Sequence, residues 1–398
     1  LSGSDPLVGT VSDINGKFRL EKVPVGRRDF KISYLGYEEV YLNNIIVNTG
    51  KEVVLTIEMK EKVFTSGVVD IVYERDKTKA NNEFATVSAR SFQREETNRY
   101  AGSREDPSRM VANYAGVVAG NDVRNDIIVR GNSPLGVLWR LNGVDIPNPN
   151  HFSTQGATGG PLSMLNNNIL DDSDFLTGAF PAEYGNKIAA VFDLKMKNGN
   201  NEKMEYIAQL GINGFELGIE GPFSKKKGSS FFVNYRYSTL KVFDLLGIHF
   251  GVSGIPHYQD FSFKVHFPSQ KYGNISVFGL GGKSGIELLD SEKDSSDWSF
   301  TSKGEDLIYG SDMGIIGLSH LYFFNDKTYG EFLLSLSVSS LLVRVDTLST
   351  LKEPFTVSKN NALDMQYQVK YLISKKLNSQ HLLKGGIIYS IMAINYQN

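Results

Sequence analysis

The chain has 398 residues, a net charge of −2 and a pI near 6.4, so it is long enough for two or three domains and carries no basic field that would draw it to nucleic acid. It contains no cysteine, which rules out disulfides and thiolate metal sites without fixing a compartment. No apolar run is long enough for a membrane-spanning helix, but strands that cross a bilayer as a barrel leave no such run.

With 24 Phe, 19 Tyr and 39 Gly, the composition favours strands joined by tight turns. Residues 1–60 read as short strands. GTVSDINGKFRL predicts a strand, a turn at Asp13–Gly16, then alternation through Phe18 and Leu20. FKISYLGYEEV and EVVLTIEM continue it, with Val53, Leu55, Ile57 and Met59 on one face. Together they predict a small β-sandwich of transthyretin-like size. The chain opens at Leu1 as if inside a domain and stops just after an apolar strand, which reads as a piece of something longer.

Residues 61–82 are a charged linker holding one β-prone run, Gly67–Tyr73. Such a run either forms a local strand or adds itself to the sheet edge of a partner.

In residues 83–200, Asp106 and Pro107 predict a capped helix over Asp106–Tyr114. Strands are predicted at Ile127–Val129, Val137–Leu141 and Ala190–Met196, with a hairpin turn at Asn142–Gly143. The stretch IIVRGNSPLGVLWRLNGVDIPNPNHF (Ile127–Phe152) has only Arg130, Arg140 and Asp145 as charges, among many turn residues. It is too apolar for a free loop, which predicts that it is packed inside something.

After residue 200 the alternation lengthens. Phe261, Phe263, Val265 and Phe267 oppose Ser262, Lys264 and His266. Leu363, Met365, Tyr367, Val369, Tyr371 and Ile373 oppose Asp364, Gln366, Gln368 and Lys370, and in FVNYRY the polar face holds Asn234 and Arg236. Period two marks a sheet that is apolar on one side and wet on the other. Near Ser340 the apolar parity slips, which predicts a β-bulge. About nine strands are expected. Short links near 222–229, 268–272, 325–327 and 375–380 alternate with longer ones near 239–257, 290–310 and 347–360; the first, at Asn213–Gly214, is also short. Outer-membrane barrels segregate short turns and long loops in this way. A soluble sandwich is the alternative, and it would need a second sheet over the apolar faces.

Three blocks, RYAGSREDPSRMVANYAGVVAGNDVRNDIIVRGNSP, LWRLNGVDIPNPNHF and SDFLTGAFPAEYGNKIAAVFDLKMKNGN, resemble the plug domain of TonB-dependent outer-membrane receptors. GTVSDINGKFRLEKVPVGRRDFKISYLGYEEV resembles the carboxypeptidase-regulatory-like domain that precedes the plug in receptors of the Bacteroidetes type. The resemblance covers residues 1–200 by motif and the remainder by character.

It implies a mainly β protein with four parts: a small N-terminal β-sandwich (1–60), a linker (61–82), an α+β plug (83–200) and part of an antiparallel transmembrane β-barrel (201–398). A complete barrel of this kind has about 22 strands. The implied function is active import across the bacterial outer membrane, with the front domain and linker in the periplasm. The implied partners are a TonB–ExbB–ExbD-type energising complex, outer-membrane lipid and an unidentified small ligand, with a surface lipoprotein a further candidate. Coupling to the complex falls on Val68, Val69, Asp70, Ile71 and Val72. Ligand contact falls on Asn148, Asn150, His151, Phe152, Ser153 and Thr154, and on Gly159 of the Gly156–Gly160 loop. Arg130 is expected to face a barrel carboxylate, with Glu220 the candidate, or else to be a solvated charge.

No cofactor or enzymatic activity is expected. The six histidines show no metal-ligand spacing, and His151 falls where the resemblance implies a structural role. No GxSxG, P-loop or GxGxxG occurs. Two further readings remain: an outer-membrane binding or secretion-associated scaffold, and a soluble β-rich adhesin.

Overall fold

Period-two alternation forms the long hairpins it predicts. The structure is a computed structural model, and it describes residues 8–37, 39–47, 52–55, 57, 59, 80–100, 102–211, 214–238, 256–291, 304–349, 353–378 and 380–397. The chain divides into two compact units, Leu1–Lys79 and Ala80–Asn398.

Of the sandwich expected over residues 1–60, the described residues show one antiparallel hairpin, β1 (Gly26–Ile32) with β2 (Val40–Val47), interrupted by an irregularity between Arg28 and Phe30. The turn at Asp13–Gly16 is present, with the Asp13 carboxylate accepting from the amides of Asn15 and Lys17. The residues flanking it and Val53–Leu55 lie outside any strand, because they have no ladder to join. Val68–Val72 lies outside the described residues.

The second unit begins with the plug. Its strands are β3 (Ala89–Phe92), β4 (Val117–Ala119), β5 (Ile127–Val129), β6 (Val137–Leu141), β7 (Val144–Ile146), β8 (Asn150–His151), β9 (Leu162–Ser163), β10 (Ser173–Leu176) and β11 (Ala190–Leu194). Two short helices, α1 (Arg94–Arg99) and α2 (Pro107–Val111), precede β4. The central sheet runs β3-β10-β11-β6-β7, with β11 parallel to β6. All five residues of β6 are buried, and Trp139 stacks on Phe192 at 4.1 Å with Phe175 behind it. The helix over 106–114 is shorter than expected. Asp106 caps it through Ser108 N, and Gly116, at φ 78°, turns the chain away after Tyr114. Asn142 and Gly143 both take positive φ, as a two-residue hairpin requires.

The barrel wall is a nine-stranded antiparallel meander: β12 (Glu205–Gly211), β13 (Gly214–Ser224), β14 (Ser229–Tyr237), β15 (His257–Phe267), β16 (Asn274–Leu289), β17 (Glu305–Asn325), β18 (Thr328–Leu348), β19 (Pro354–Lys376) and β20 (Leu382–Gln397). Its burial is inverted relative to a water-soluble sheet. Phe261 is 45% exposed while its neighbour Ser262 is 2% exposed. Tyr367 and Val369 are 48% and 41% exposed, and Gln368 and Lys370 are each 6%. The apolar side looks outward and the polar side meets the plug. Among the described residues no second layer covers the apolar faces, as the soluble-adhesin reading requires.

The expected bulge at Ser340 is absent, since β18 keeps unbroken register with β17 from Glu305↔Thr347 to Phe323↔Tyr329. Directly paired residues share a face. Leu341 pairs with Ser311 and Val345 with Leu307, so these apolar residues share the inward face, while Arg344 and Asp346 share the other face, ion-paired at 2.9 Å with Asp346 buried. The parity therefore changes within one unbroken strand, apolar residues facing outward on the short-turn side of Ser340 and inward beyond it. The outward pair Lys283–Asp312 marks that level, and residues 313–324 of β17 lie between it and the short turn, close to the ~9–11 residues a tilted strand needs to cross. The third long link is also shorter than expected, since β18 runs to Leu348 and β19 begins at Pro354.

Candidate functional site: the seam between plug and wall

Three levels of contact join the plug to the inner face of the wall. The upper level lies toward the strand ends that lead into the longer links. There His151 Nε2 donates to Asp260 Oδ2 at 2.9 Å, both side chains being buried. Burial holds the His151 imidazole below its usual pKa despite the Asp260 bond, which favours the neutral ring, and its Nδ1 has no hydrogen-bond partner among the described residues. Asp260 also receives Arg236 Nε and Nη2 at 2.9 and 2.8 Å, and Arg236 donates on to Ser163 O at 2.8 Å. Phe152 N donates to Ser284 Oγ at 2.9 Å, Ser153 Oγ lies 2.8 Å from Ser311 Oγ, and the Tyr309 hydroxyl donates to Ser153 O.

This level is braced from within the plug. Asn125 Nδ2 donates to Asp106 Oδ2 and Asn150 Oδ1, each at 2.7 Å, and Asn150 Nδ2 donates to Asn148 Oδ1 at 2.7 Å. Asn148 Nδ2 then donates to Ala157 O at 2.9 Å and Gly159 O at 3.1 Å, fixing the returning limb of the loop. Burial pushes the Asp106 carboxyl up, against the Asn125 and Ser108 bonds that favour its charge.

At the middle level Asn168 and Asn234 both donate to Glu216 Oε1, at 2.9 and 2.7 Å. Lys197 Nζ reaches Glu220 Oε1 at 2.7 Å, and Lys264 Nζ donates to Met196 O at 2.7 Å. Apolar packing accompanies these bonds. Phe278, Leu280, Met313, Ile315 and Leu333 of the wall join the same buried cluster as Met164 and Leu165 of the plug. Gly282 leaves room for it, since a Cβ there would stand 2.8 Å from both Met164 Sδ and His151 Cε1.

The lower level lies toward the short turns. Glu183 Oε1 is 3.1 Å from Lys384 Nζ, and Glu183 Oε2 is 3.8 Å from Lys370 Nζ. Burial alone would raise the Glu183 pKa, but Lys384 and Lys370 outweigh it and hold the carboxyl below the usual range. The plug's first described residues are clasped here. Asn82 Nδ2 donates to Glu183 Oε1 and to the Tyr184 hydroxyl, each at 2.9 Å. Asp174 accepts from the amides of Asn81 and Asn82, both at 2.8 Å, while burial pushes its pKa up to about 6. Arg140, expected among the plug's few charges, is buried and pairs with Asp145 at 2.7 Å over the ring of Tyr184.

No family model and no curated protein sequence matches the chain. Solved structures do. The outer membrane transporter YddB from Escherichia coli aligns with a TM-score of 0.52 and 11% identity, over 77% of this chain and 48% of that one. The pyoverdine outer membrane receptor FpvA from Pseudomonas aeruginosa PAO1, bound to pyoverdine, aligns at 0.51 and 13%, over 73% and 44%. FpvAI in complex with pyocin S2 aligns at 0.51 and 12%, over 78% and 41%. This is the plug-and-barrel fold of the TonB-dependent outer-membrane receptors. The likeness is one of fold, and the chain spans a little under half the length of these structures. They are a transporter and receptors rather than enzymes.

Within the receptor fold, the expected ligand residues divide. Asn148, Asn150, His151 and Gly159 are buried and hold the upper loop in place, through bonds inside the plug and from His151 Nε2 to Asp260. Phe152 and Ser153 are half-buried against the wall, and Thr154, Gln155 and Gly156 are exposed at the tip. Arg130 does not reach Glu220. It sits at φ 50° after β5 and donates to Ser88 Oγ at 2.9 Å and Thr177 Oγ1 at 3.3 Å, exposed at the plug surface. Glu220 does meet the plug, through Lys197 and the amide of Asn200 at 3.2 Å. Sequence reasoning missed Asp260, Ser284, Ser311 and the Glu183–Lys384 contact. The available signal was that a charge on the polar face of a lipid-facing strand points into the lumen and needs a partner there.

Proposed function

We propose that the chain is the plug-bearing part of an importer of the bacterial outer membrane, energised from the periplasm through its linker. One observation carries the reading: the plug's exposed tip, Thr154–Gly156, and its clasped first residues, Asn81 and Asn82, lie at opposite ends of a wall whose outer face suits lipid. Ligand arriving at the tip and force arriving through the linker thus act on opposite ends of one small domain.

Ligand contact is assigned to Ser153, Thr154 and the following residues, with Asn148, Asn150, His151 and Gly159 supporting them. Coupling is assigned to Val68–Val72, by addition to a partner's sheet edge in a TonB–ExbB–ExbD-type complex. FpvA binds pyoverdine, and an iron chelate is one candidate cargo here beside haem, cobalamin, oligosaccharides and peptides. Growth of a deletion strain on defined iron and glycan sources separates these classes. Replacing Val68–Val72 with proline tests the mechanism: cell-surface binding is expected to persist while accumulation falls to background. Undiminished accumulation would refute the coupling assignment, and binding with no energy-dependent accumulation in the native protein would favour the scaffold reading.

A further inference from the structure

The short-turn end of the wall carries a row of lysines. Lys225, Lys226 and Lys227 form the turn after β13, Lys271 lies after β15, Lys327 after β17 and Lys375 near the end of β19. All six are exposed, and none has an ion-pair partner among the described residues. The one acid in these four turns is Asp326. Among the described residues the opposite strand ends are charged the other way, with Glu287, Asp290, Glu305, Asp306, Asp346 and Glu353 against Lys283, Arg344 and Lys359.

Immediately inside the lysines the wall is aromatic. Phe223 packs against Phe231 at 4.8 Å and Phe267 at 5.9 Å, and Tyr322 meets Phe324 edge-on at 5.1 Å. Rings gather at the depth where hydrocarbon gives way to headgroups, which places the lysines at the depth of the phosphates. Lys271 already stands 5.1 Å over the Tyr272 ring at this level.

We propose that this short-turn rim binds the anionic phospholipids of the leaflet it faces, through the phosphodiesters of phosphoglycerol-type headgroups. The inference rests on the membrane reading of the wall. Hairpins recur about every 10 Å along a sheet, so the cations form a line rather than converge on a point. A line suits a row of headgroups better than a single bound anion or one protein patch. Each ammonium near an anionic surface gains on the order of fivefold in affinity.

The test uses the whole protein, reconstituted into phosphatidylcholine vesicles with or without phosphatidylglycerol. Flotation reports entry into the bilayer, and spin-labelled lipids report headgroup preference. The native chain is expected to enter both kinds of vesicle and to prefer phosphatidylglycerol, less so as salt rises. Changing all six lysines to Gln should leave entry into neutral vesicles intact and reduce the preference at least about tenfold, while Lys→Arg at the same positions should keep it. An unchanged preference in the Gln variant would overturn the proposal, as would displacement of the lipid by soluble glycerol phosphate as readily as by phosphatidylglycerol. Failure of the native chain to enter neutral vesicles would instead overturn the membrane reading, and this inference with it.

Discussion

His151 in the plug and Asp260 in the wall are 109 residues apart in sequence and 2.9 Å apart in the fold, with neither side chain reached by solvent. Arg236 shares the same carboxylate. Asp260 therefore compensates a buried guanidinium as well as a histidine, and the two partners are unequal. Asp260→Ala strands Arg236 and should cost about 3–5 kcal/mol. His151→Ala leaves the Arg236–Asp260 pair intact and should cost about 1–3 kcal/mol. Thermal unfolding of the two variants in detergent measures the difference, and equal losses would contradict the ranking.

Asp174 gives the plug a pH dependence of defined sign. Its folded pKa of about 6 lies above the ordinary 3.8, so the folded state holds the proton more firmly. The stabilising contribution is present below about pH 4 and is lost as pH rises to about 6, amounting to about 2–3 kcal/mol. Asp174→Asn should flatten that part of the stability profile. A slope unchanged in the variant would assign it to other groups.

Glu183 has the opposite sign. Its lowered pKa contributes stability above the ordinary carboxyl range and loses it as pH falls through the folded value. Glu183→Gln leaves the buried Lys370 less well compensated and releases Lys384 from the plug. Faster proteolytic cleavage near residues 80–88 is expected in this variant. Protection equal to that of the native protein would show that the apolar seam alone holds the lower end.

At the tip, Thr154→Trp and Gln155→Trp alter exposed side chains and should change ligand affinity with little effect on melting temperature. Gly159→Ala acts in the reverse manner. Its Cβ would stand 2.5 Å from Asp126 Oδ1 and 2.7 Å from Asp126 N, which forces the loop to shift at a cost of about 1–3 kcal/mol. Calorimetry and binding on the same preparations separate the two outcomes.

The outward face makes the simplest test of orientation. Val369→Arg places a charge in the lipid belt and should cost about 2–4 kcal/mol near the midplane. Gln368→Arg, one residue away, points into the lumen. Assembly yield in lipid should fall for the first far more than for the second, and equal effects would reject the inverted sheet.

The wall was legible because two-residue periodicity survives any choice of partner, and the link lengths gave its direction. The same pattern misled at Ser340, where the apolar residues change face while the register of the strand runs on unbroken. Arg130 shows a second kind of miss. Its positive φ carries the side chain to Ser88 and Thr177, with Nη1 close over Gly178, and nothing in the local sequence distinguishes that from a reach to the wall. The Asp260, Ser284 and Ser311 contacts depend on which residues the register brings opposite the plug loop, which becomes visible only when both partners are folded.

The order β3-β10-β11-β6-β7 has a mechanical consequence. β3, the strand closest to the linker, is at the sheet's margin and is bonded to β10 alone, whereas β11 is gripped on both sides and its chain runs on through Gly199 against Phe231 into the wall. Tension on the N-terminal side therefore peels one ladder of four residue pairs, and the other four strands of the sheet keep every pairing they have among themselves. The domain is built to yield from one end and to stay anchored at the other.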